Sequence, residues 1–534
     1  MGQTDGSGQS FLCCSSGRPV NVRIQHPSCE NIIIPQDDEF YSRFRLDCLN
    51  FVRSQVAPKL SCTAGHQDQL NTLTSYLDMS QVYGNTDRAA GFGRQFMGGR
   101  LKSSFVNGRH LLAVAPGSGD CGDTNMPCFV TAGDSKVNMI PSTTAMHLLW
   151  DREHDRIAME LQKLHPTWSD ERVFQEARRI TVAIYQHIFL NEYIPTIFGA
   201  DIIQKYNLDV KPGGNYSCYY NKEVNPTASN EFSAAAFRFG HSQVPDFFLL
   251  FDDLELADEL VGVHKTFMKP GPLIYDGKRF TKFVRGLMLQ PAQQVDNFVS
   301  NALTTQLLRG PNGAFGGDLI AINIQRGRDH GLPPYIDMLE ACGLPKPKGF
   351  ADLEPLMGPV KVNALSRIYA DAADIDLYVG GLFENASKDS VFGPTFACII
   401  GDQFQRSRAG DRFFYDNAPG GMCGANSTGN PAPFTQRVKQ HQTLRLLVQH
   451  KGASFNLSQL HKVLIPHREH NFKQIRIHHQ ALDLVSSHNL GLLGYKMLQQ
   501  VQTSSQQGLH KVLNQLVNNS KEHQLNPVDN KNHS

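Results

Sequence analysis

The chain has 534 residues, a net charge of +1 and 40% hydrophobic residues. That length supports a large core and exceeds one small domain, while near-neutral charge gives no electrostatic case for nucleic acid or an anionic membrane. No apolar run approaches the roughly 18 residues of a spanning helix, so no membrane span is expected.

Residues 1–10 are polar, with neither a basic n-region nor an apolar h-region, and Gly6 stands where a myristoylation signal needs Ser or Thr. They read as an incomplete start rather than a signal peptide. Eleven cysteines follow, none in CxxC spacing, and the close pairs Cys48/Cys62 and Cys121/Cys128 are candidates for small disulfide loops. Sequons at Asn215, Asn385, Asn426, Asn456, Asn518 and Asn532 point, with the cysteines, to a secreted glycoprotein.

The middle of the chain reads as helical. Apolar residues at helical spacing predict a helix over Ser142–Lys163. Thr167-Trp-Ser-Asp170 reads as an N-terminal cap, with Asp170 and Glu171 as helix-start charges, and the following pattern runs to about Pro195. Further helices are predicted at Phe280–Leu289, Gln294–Leu308 and Pro359–Ala370, separated by joints at Lys211–Asn215 and Lys269–Pro272. Phe247–Phe251 reads as core. β-branched alternation is scarce, so the fold class is mainly α, with little β-structure. From residue 446 the composition turns rich in His, Gln and Asn, and residues 446–534 are expected to be partly disordered.

Two stretches carry chemistry. Asn230–His241 places a histidine beside Arg238 and Gly240 in an apolar frame, and Ala321–Pro333 follows about eighty residues later. An imidazole that holds haem iron needs a fixed tautomer, which an Asn side chain can set, and haem propionates need fixed cations. His241, Asn323, Arg238 and Arg326 have that chemistry. His330, in a polar turn, is assigned a structural role.

With those residues in hand, the chain resembles the animal haem peroxidases over about residues 11–445. Seven motifs in order carry the resemblance: Leu73–Gly84, Ala132–Asp134, Arg152–Arg156, Phe237–His241, Asn323–Pro333, Tyr378–Gly381 and Ala397–Gly401. It implies a predominantly helical fold, haem b as cofactor, His241 as proximal iron ligand, Asn323 as its partner, and Arg238 and Arg326 as propionate contacts. It also implies that Thr74, Tyr76, Asp78 and Ser80 form a calcium loop, and that Cys342 pairs with Cys398.

The chain also departs from the family. A family segment of the type GQxxDHDxxxTP, carrying the distal histidine, precedes the cysteines matching Cys13 and Cys14; here only residues 1–12 stand before them, and none is histidine. Lys136 occupies the distal arginine position and Met139 that of the haem-linking glutamate, so a covalent ester is not expected. No cysteine follows Cys423, which is left as the unpaired one, and the domain is expected to be incomplete at both ends.

The first reading is therefore a secreted haem peroxidase that reduces hydrogen peroxide and oxidises small phenols, halides or protein tyrosines. The second is a catalytically weak haem-binding or adhesive extracellular protein, suggested by Lys136 and Met139. The third is a calcium-stabilised module without haem.

Overall fold

A computed structural model describes residues 11–21, 25–59, 65–115, 121, 126–210, 216–310 and 312–417. Among them helices dominate, and the named strands pair only as two-stranded antiparallel ladders. The first ladder used below joins β1 (Ser103–Val106) to β2 (Arg109–Leu112).

The central pair is α1 (Pro141–Leu164) and α2 (Asp170–Ile188). Pro141 opens α1, where its missing N–H is no loss. Ser169 caps α2 by accepting from the Arg172 N–H, and Arg94 pairs with both Asp170 and Glu171, so these acids are the helix-start charges expected. Fully buried Trp150 of α1 meets Tyr185 of α2 edge-on at 5.5 Å. His154 braces α1 to the preceding loops, with Nδ1 2.9 Å from the Tyr83 hydroxyl and Nε2 2.8 Å from the Gly99 carbonyl. Burial lowers its pKa to about 4, so the brace is neutral.

The expected continuation to Pro195 is not a uniform α-helix. It widens to a π-turn over Phe189–Tyr193 before a short α-turn, Ile194–Ile197. Pro195 lacks an N–H and its ring crowds the carbonyl four residues back, which favours this widening.

The Phe247–Phe251 run is strand β3, paired with β4 (Ala257–Gly262) and burying alternate residues Phe248 and Leu250 under α3 (Gly277–Leu289). The helix expected over Gln294–Leu308 is only Asn301–Thr304. Ser300 and Asp246 both accept the Ala302 N–H, so local side-chain bonding starts that helix late, and Leu308 at φ +53° closes the segment. Beyond α4 (Leu319–Asp329) and two shorter helices, Tyr335–Ala341 and Glu354–Met357, lies α5 (Pro359–Ser366), which stops short of the expected Ala370. Helices α6 (Leu377–Phe383) and α7 (Pro394–Ala409) complete the described chain.

The disulfides correct one expectation. Cys48 joins Cys14, not Cys62, and Cys13 joins Cys29, so the two adjacent N-terminal cysteines staple two separate returns of the chain. The pairs Cys121–Cys128 and Cys342–Cys398 form as expected, and Cys218 is disulfide-bonded. Asn385 is exposed, as a glycan acceptor must be. The Lys211–Asn215 joint, Cys62, Cys423, the other five sequons and residues 446–534 lie outside the described residues.

Among the described residues, the two largest apolar clusters build most of the interior. The larger gathers α2, α6 and α7 around Phe232, Phe237 and Phe404; the second gathers β3, β4 and α3 around Val244, Val263 and Leu303. Each such buried side chain contributes roughly 1.5–3 kcal/mol relative to exposure. A cavity opens at their seam.

Candidate functional site

The cavity has a volume of about 420 Å³ and draws its walls from both clusters, including Phe232, Phe237, Val244, Phe267, Leu303 and Phe404. Four residues singled out by sequence, Thr74, Lys136, Arg238 and His241, also line it, as does Met139. Thr143 of α1 and Gln403 and Ser407 of α7 are further polar lining residues that sequence reasoning missed.

His241 lies in a 3-10 segment, Ala236–Gln243, entered from the helical turn Asn230–Ala234. Its ring is backed by Asn323 of α4, which is completely buried, with Asn323 Nδ2 2.7 Å from His241 Nδ1. Arg238 in turn donates from Nη1 to Asn323 Oδ1 at 2.6 Å and from Nε to the Ser233 carbonyl at 3.0 Å. Burial lowers the His241 pKa to about 3, helped by the charges of Arg238 and Lys136. The imidazole is neutral throughout the physiological range, the charge state a metal ligand requires.

The cavity is cationic. Burial, the larger cause, and Arg326 lower the Arg238 pKa to about 10, and burial followed by Arg238 and Arg326 depresses the Lys136 ammonium against a raising contribution from Asp134. Such clustered, desolvated cations favour an anionic occupant. Arg326 does not appear among the cavity-lining residues. Its Nη1 donates to Asp329 at 2.8 Å, to the Val52 carbonyl at 3.0 Å and to Ser54 Oγ at 3.1 Å, and its guanidinium lies 4.1 Å from the Phe51 ring centre. It stands behind the cavity, close enough for its charge to act on Lys136 and Arg238.

The rest of Asn323–Pro333 is structural. Asp329 accepts from Arg53, the Ser54 N–H and Arg326, and His330 bridges Ser54 Oγ (2.7 Å) to Asn230 Oδ1 (3.0 Å). His330 is thus a link to the N-terminal loops and to the turn that leads into His241.

At the residues expected to form a calcium loop, Thr74 Oγ1 donates to Asp78 Oδ1 at 2.8 Å and lies 3.1 Å from Ser80 Oγ, and the Ser80 N–H donates to Asp78 Oδ1 at 2.9 Å. Three oxygens of the kinds a hard cation uses are brought together. The Tyr76 phenol is not among them; burial and the nearby Asp411, Tyr220 and Asp78 raise its pKa. The loop touches the cavity wall in two ways. Thr74 lines the cavity, and Gly133, next to Asp134 in the chain, packs so closely that a Cβ would lie 1.9 Å from the Ser80 carbonyl oxygen. Asp134 then accepts the Lys136 N–H at 2.8 Å, which places the lysine.

A model of the animal haem peroxidase family matches residues 1–426. Chorion peroxidase of Drosophila melanogaster is 41% identical over 447 residues, covering 82% of this chain and 53% of its own length. Thyroid peroxidase of Homo sapiens is 38% identical over 400 residues, covering 70% of this chain and 42% of its own. The chain spans about half the length of these curated relatives. Among solved structures, peroxidase A from Dictyostelium discoideum matches with 29% identity and a TM-score of 0.65, covering 78% of this chain and 80% of that one. A fatty acid alpha-dioxygenase from Arabidopsis thaliana shares the fold at 16% identity and a TM-score of 0.60, over 84% of this chain and 72% of that one.

Proposed function

Because the chain belongs to the animal haem peroxidase family, we propose that it is a haem-dependent peroxidase that reduces hydrogen peroxide and oxidises small phenolic, halide or protein-tyrosine donors. The observation that carries this reading is the neutral His241, backed by Asn323 and facing an apolar, cationic cavity. These residues fit haem b: one neutral imidazole, cations for two propionates and apolar walls for the macrocycle.

When bound, haem supplies the iron at which peroxide is reduced and the oxidising equivalents that the donor consumes. His241 would hold that iron from Nε2. Asn323 would fix the imidazole, with its Oδ1 accepting the Nδ1 proton. Arg238, and Arg326 behind it, would neutralise the propionates. Lys136 offers an ammonium to charge that develops on a peroxide oxygen, though as a flexible point donor and not a planar fork. Met139 packs at the wall and cannot form an ester.

We assign the Thr74, Asp78 and Ser80 oxygens to a calcium site, with Tyr76 contributing through its backbone position in the loop. The disulfides support an oxidising, extracellular location.

A second reading, a haem-binding protein of weak activity, is favoured by Lys136. Among the described residues, His241 is the only histidine that lines the cavity, and loss of a positioned acid–base group costs about 10²–10⁴ in rate. An absorption spectrum of the chain with added haemin, before and after stoichiometric peroxide, tests both readings. A Soret band that depends on His241 and shifts with peroxide supports the peroxidase. A band that only bleaches leaves the second reading, and no band in the wild type rejects haem binding.

A further inference from the structure

A second chemical centre lies on α1, independent of the His241 cavity. His147, Asp151 and Asp155 follow one another at intervals of four, so they share one face of the helix. His110 of β2 meets that face. Its Nε2 lies 3.1 Å from Asp151 Oδ2 and 3.8 Å from Asp155 Oδ2, and one ligand atom from each of the three falls within 4.8 Å of the others. Both carboxylates are buried, their side chains only 6% exposed.

The cluster is under-satisfied. His110 Nε2 and Asp151 Oδ2 pair with each other at 3.1 Å without a further hydrogen bond, and neither ring nitrogen of His147 makes one. His147 is 1% exposed, with Nε2 3.7 Å from Asp134 Oδ2. Buried orphan atoms of this kind each cost about 1–3 kcal/mol unless something fills the site. A small void of about 20 Å³, lined by His147 and Asp151, adjoins them and is large enough for one water or ligand oxygen. By contrast, Asp155 Oδ1 is held by the Leu101 N–H at 2.8 Å, which orients its other oxygen toward His110.

We propose that His110, Asp151 and Asp155 form a binding site for a divalent first-row transition metal. One imidazole nitrogen and two carboxylate oxygens are the donor set that suits zinc or manganese. Neighbouring ligands at about 2.0–2.2 Å from an octahedral or tetrahedral ion stand roughly 2.8–3.6 Å apart, against 3.1 and 3.8 Å from His110 Nε2 to the two carboxylates here. Water in the adjoining void would complete the coordination. The His110 side chain is 23% exposed, so an ion can enter from solvent past the exposed Phe105 ring stacked at 5.7 Å from it. Through Asp134, which holds the Lys136 N–H and lies near His147, the ion would also stiffen the loop that carries Lys136.

Cobalt(II) is the probe, because its visible bands report protein nitrogen and oxygen ligands and zinc displaces it. The full chain, with haemin added so that His241 is engaged, is titrated alongside Asp151→Asn and His110→Gln. The histidine-rich stretch after residue 446 is identical in all three, so its binding cancels in the comparison. Wild type is expected to bind one more equivalent than either variant, and to lose that band when zinc is added. Equal stoichiometry in folded variants would overturn the site. Should a variant fail to fold, crystals of the wild type soaked in zinc decide. An anomalous peak between His110 Nε2 and Asp151 Oδ2 supports the site, and its absence means that a water or a shared proton alone satisfies the cluster.

Discussion

Asn323 turns its Nδ2 to His241 Nδ1 at 2.7 Å, because Arg238, which can only donate, already occupies Asn323 Oδ1 at 2.6 Å. This arrangement makes Nδ1 an acceptor and leaves the imidazole proton on Nε2. Iron ligation through Nε2 needs the opposite tautomer, with Oδ1 facing an Nδ1–H. For His241 to hold iron in that way the amide would turn over, and Arg238 would release it for an anion in the cavity. Asn323→Asp presents an acceptor to both neighbours and removes the need to turn. It is expected to retain haem, whereas Asn323→Leu is expected to weaken haem binding by about 10–100-fold. Haemin titrations followed at the Soret band check this; equal affinities in Leu and wild type would refute the role of Asn323.

Lys136 is the residue expected to limit turnover. Lys136→Arg restores a planar donor and is expected to raise peroxide turnover about 10-fold while leaving haem affinity unchanged. Burial and the neighbouring arginines depress the lysine pKa, so the wild type loses this cation at a lower pH than an ordinary lysine would. The arginine variant should keep its rate further into alkaline pH. Initial rates across a pH series, at saturating haem, measure both effects.

Removal of the Asp78 carboxylate is expected to abolish any response to calcium. Wild type should unfold at higher temperature in excess calcium than in chelator, since a ligand at 100 times its Kd stabilises by about 2.7 kcal/mol. Asp78→Ala should melt at one temperature in both. Because Gly133 presses on the Ser80 carbonyl, chelation is also expected to perturb the loop that places Lys136 and so lower turnover. A wild type indifferent to calcium would remove the cation from this loop.

Much of this architecture was legible in the sequence because it depends on local signals. The spacing of Ala145, Leu149 and Ile157 and the Ser169 cap determine α1 and α2 without reference to distant residues. The pairing of His241 with Asn323 was also legible, through the joint presence of two motifs. Arg326 was not: whether a guanidinium faces a cavity or Asp329 depends on loops some 270 residues earlier in the chain, at Val52 and Ser54. The same holds for His110, whose approach to Asp151 and Asp155 follows from how the β1–β2 hairpin folds onto α1. Only the four-residue spacing of the two aspartates hinted at it. Asn301–Thr304 was misjudged because the predicted period over Gln294–Leu308 takes no account of Asp246 capping from another segment.

The two glycines of Tyr378–Gly381 are expected to be intolerant of a methyl group. A Cβ on Gly380 would lie 2.1 Å from Tyr335 Cγ, and the ring cannot retreat because its hydroxyl donates to Glu384 at 2.8 Å. Gly380→Ala is expected to cost about 1–3 kcal/mol through overpacking, less the small gain in helix propensity. Urea unfolding measures it, and an unchanged midpoint would show that α6 can shift away from Tyr335.

Glu384, at the end of that contact, makes stability depend on pH. Its carboxyl accepts from the Tyr335 hydroxyl (2.8 Å), the Thr395 hydroxyl (2.6 Å) and the Thr395 N–H (3.0 Å). Burial nevertheless outweighs these bonds and raises its pKa to about 7. Between the ordinary glutamate value and 7 the folded chain therefore holds a proton that the unfolded chain has released. The stability linked to that proton is present at low pH and is lost as pH rises toward 7, by roughly 1–3 kcal/mol. His154 and His330, each lowered to about 4, act in the opposite sense over pH 4 to 6.5, so the net wild-type slope mixes both. Glu384→Gln isolates the acid: its amide can turn its oxygen to the Thr395 N–H and donate to the two hydroxyls, which rotate to accept. The variant should match or fall below wild type at pH 5 and gain on it by pH 8. Urea midpoints for both proteins across that range give the difference directly, and parallel curves would show that Glu384 is ionised in the folded chain throughout.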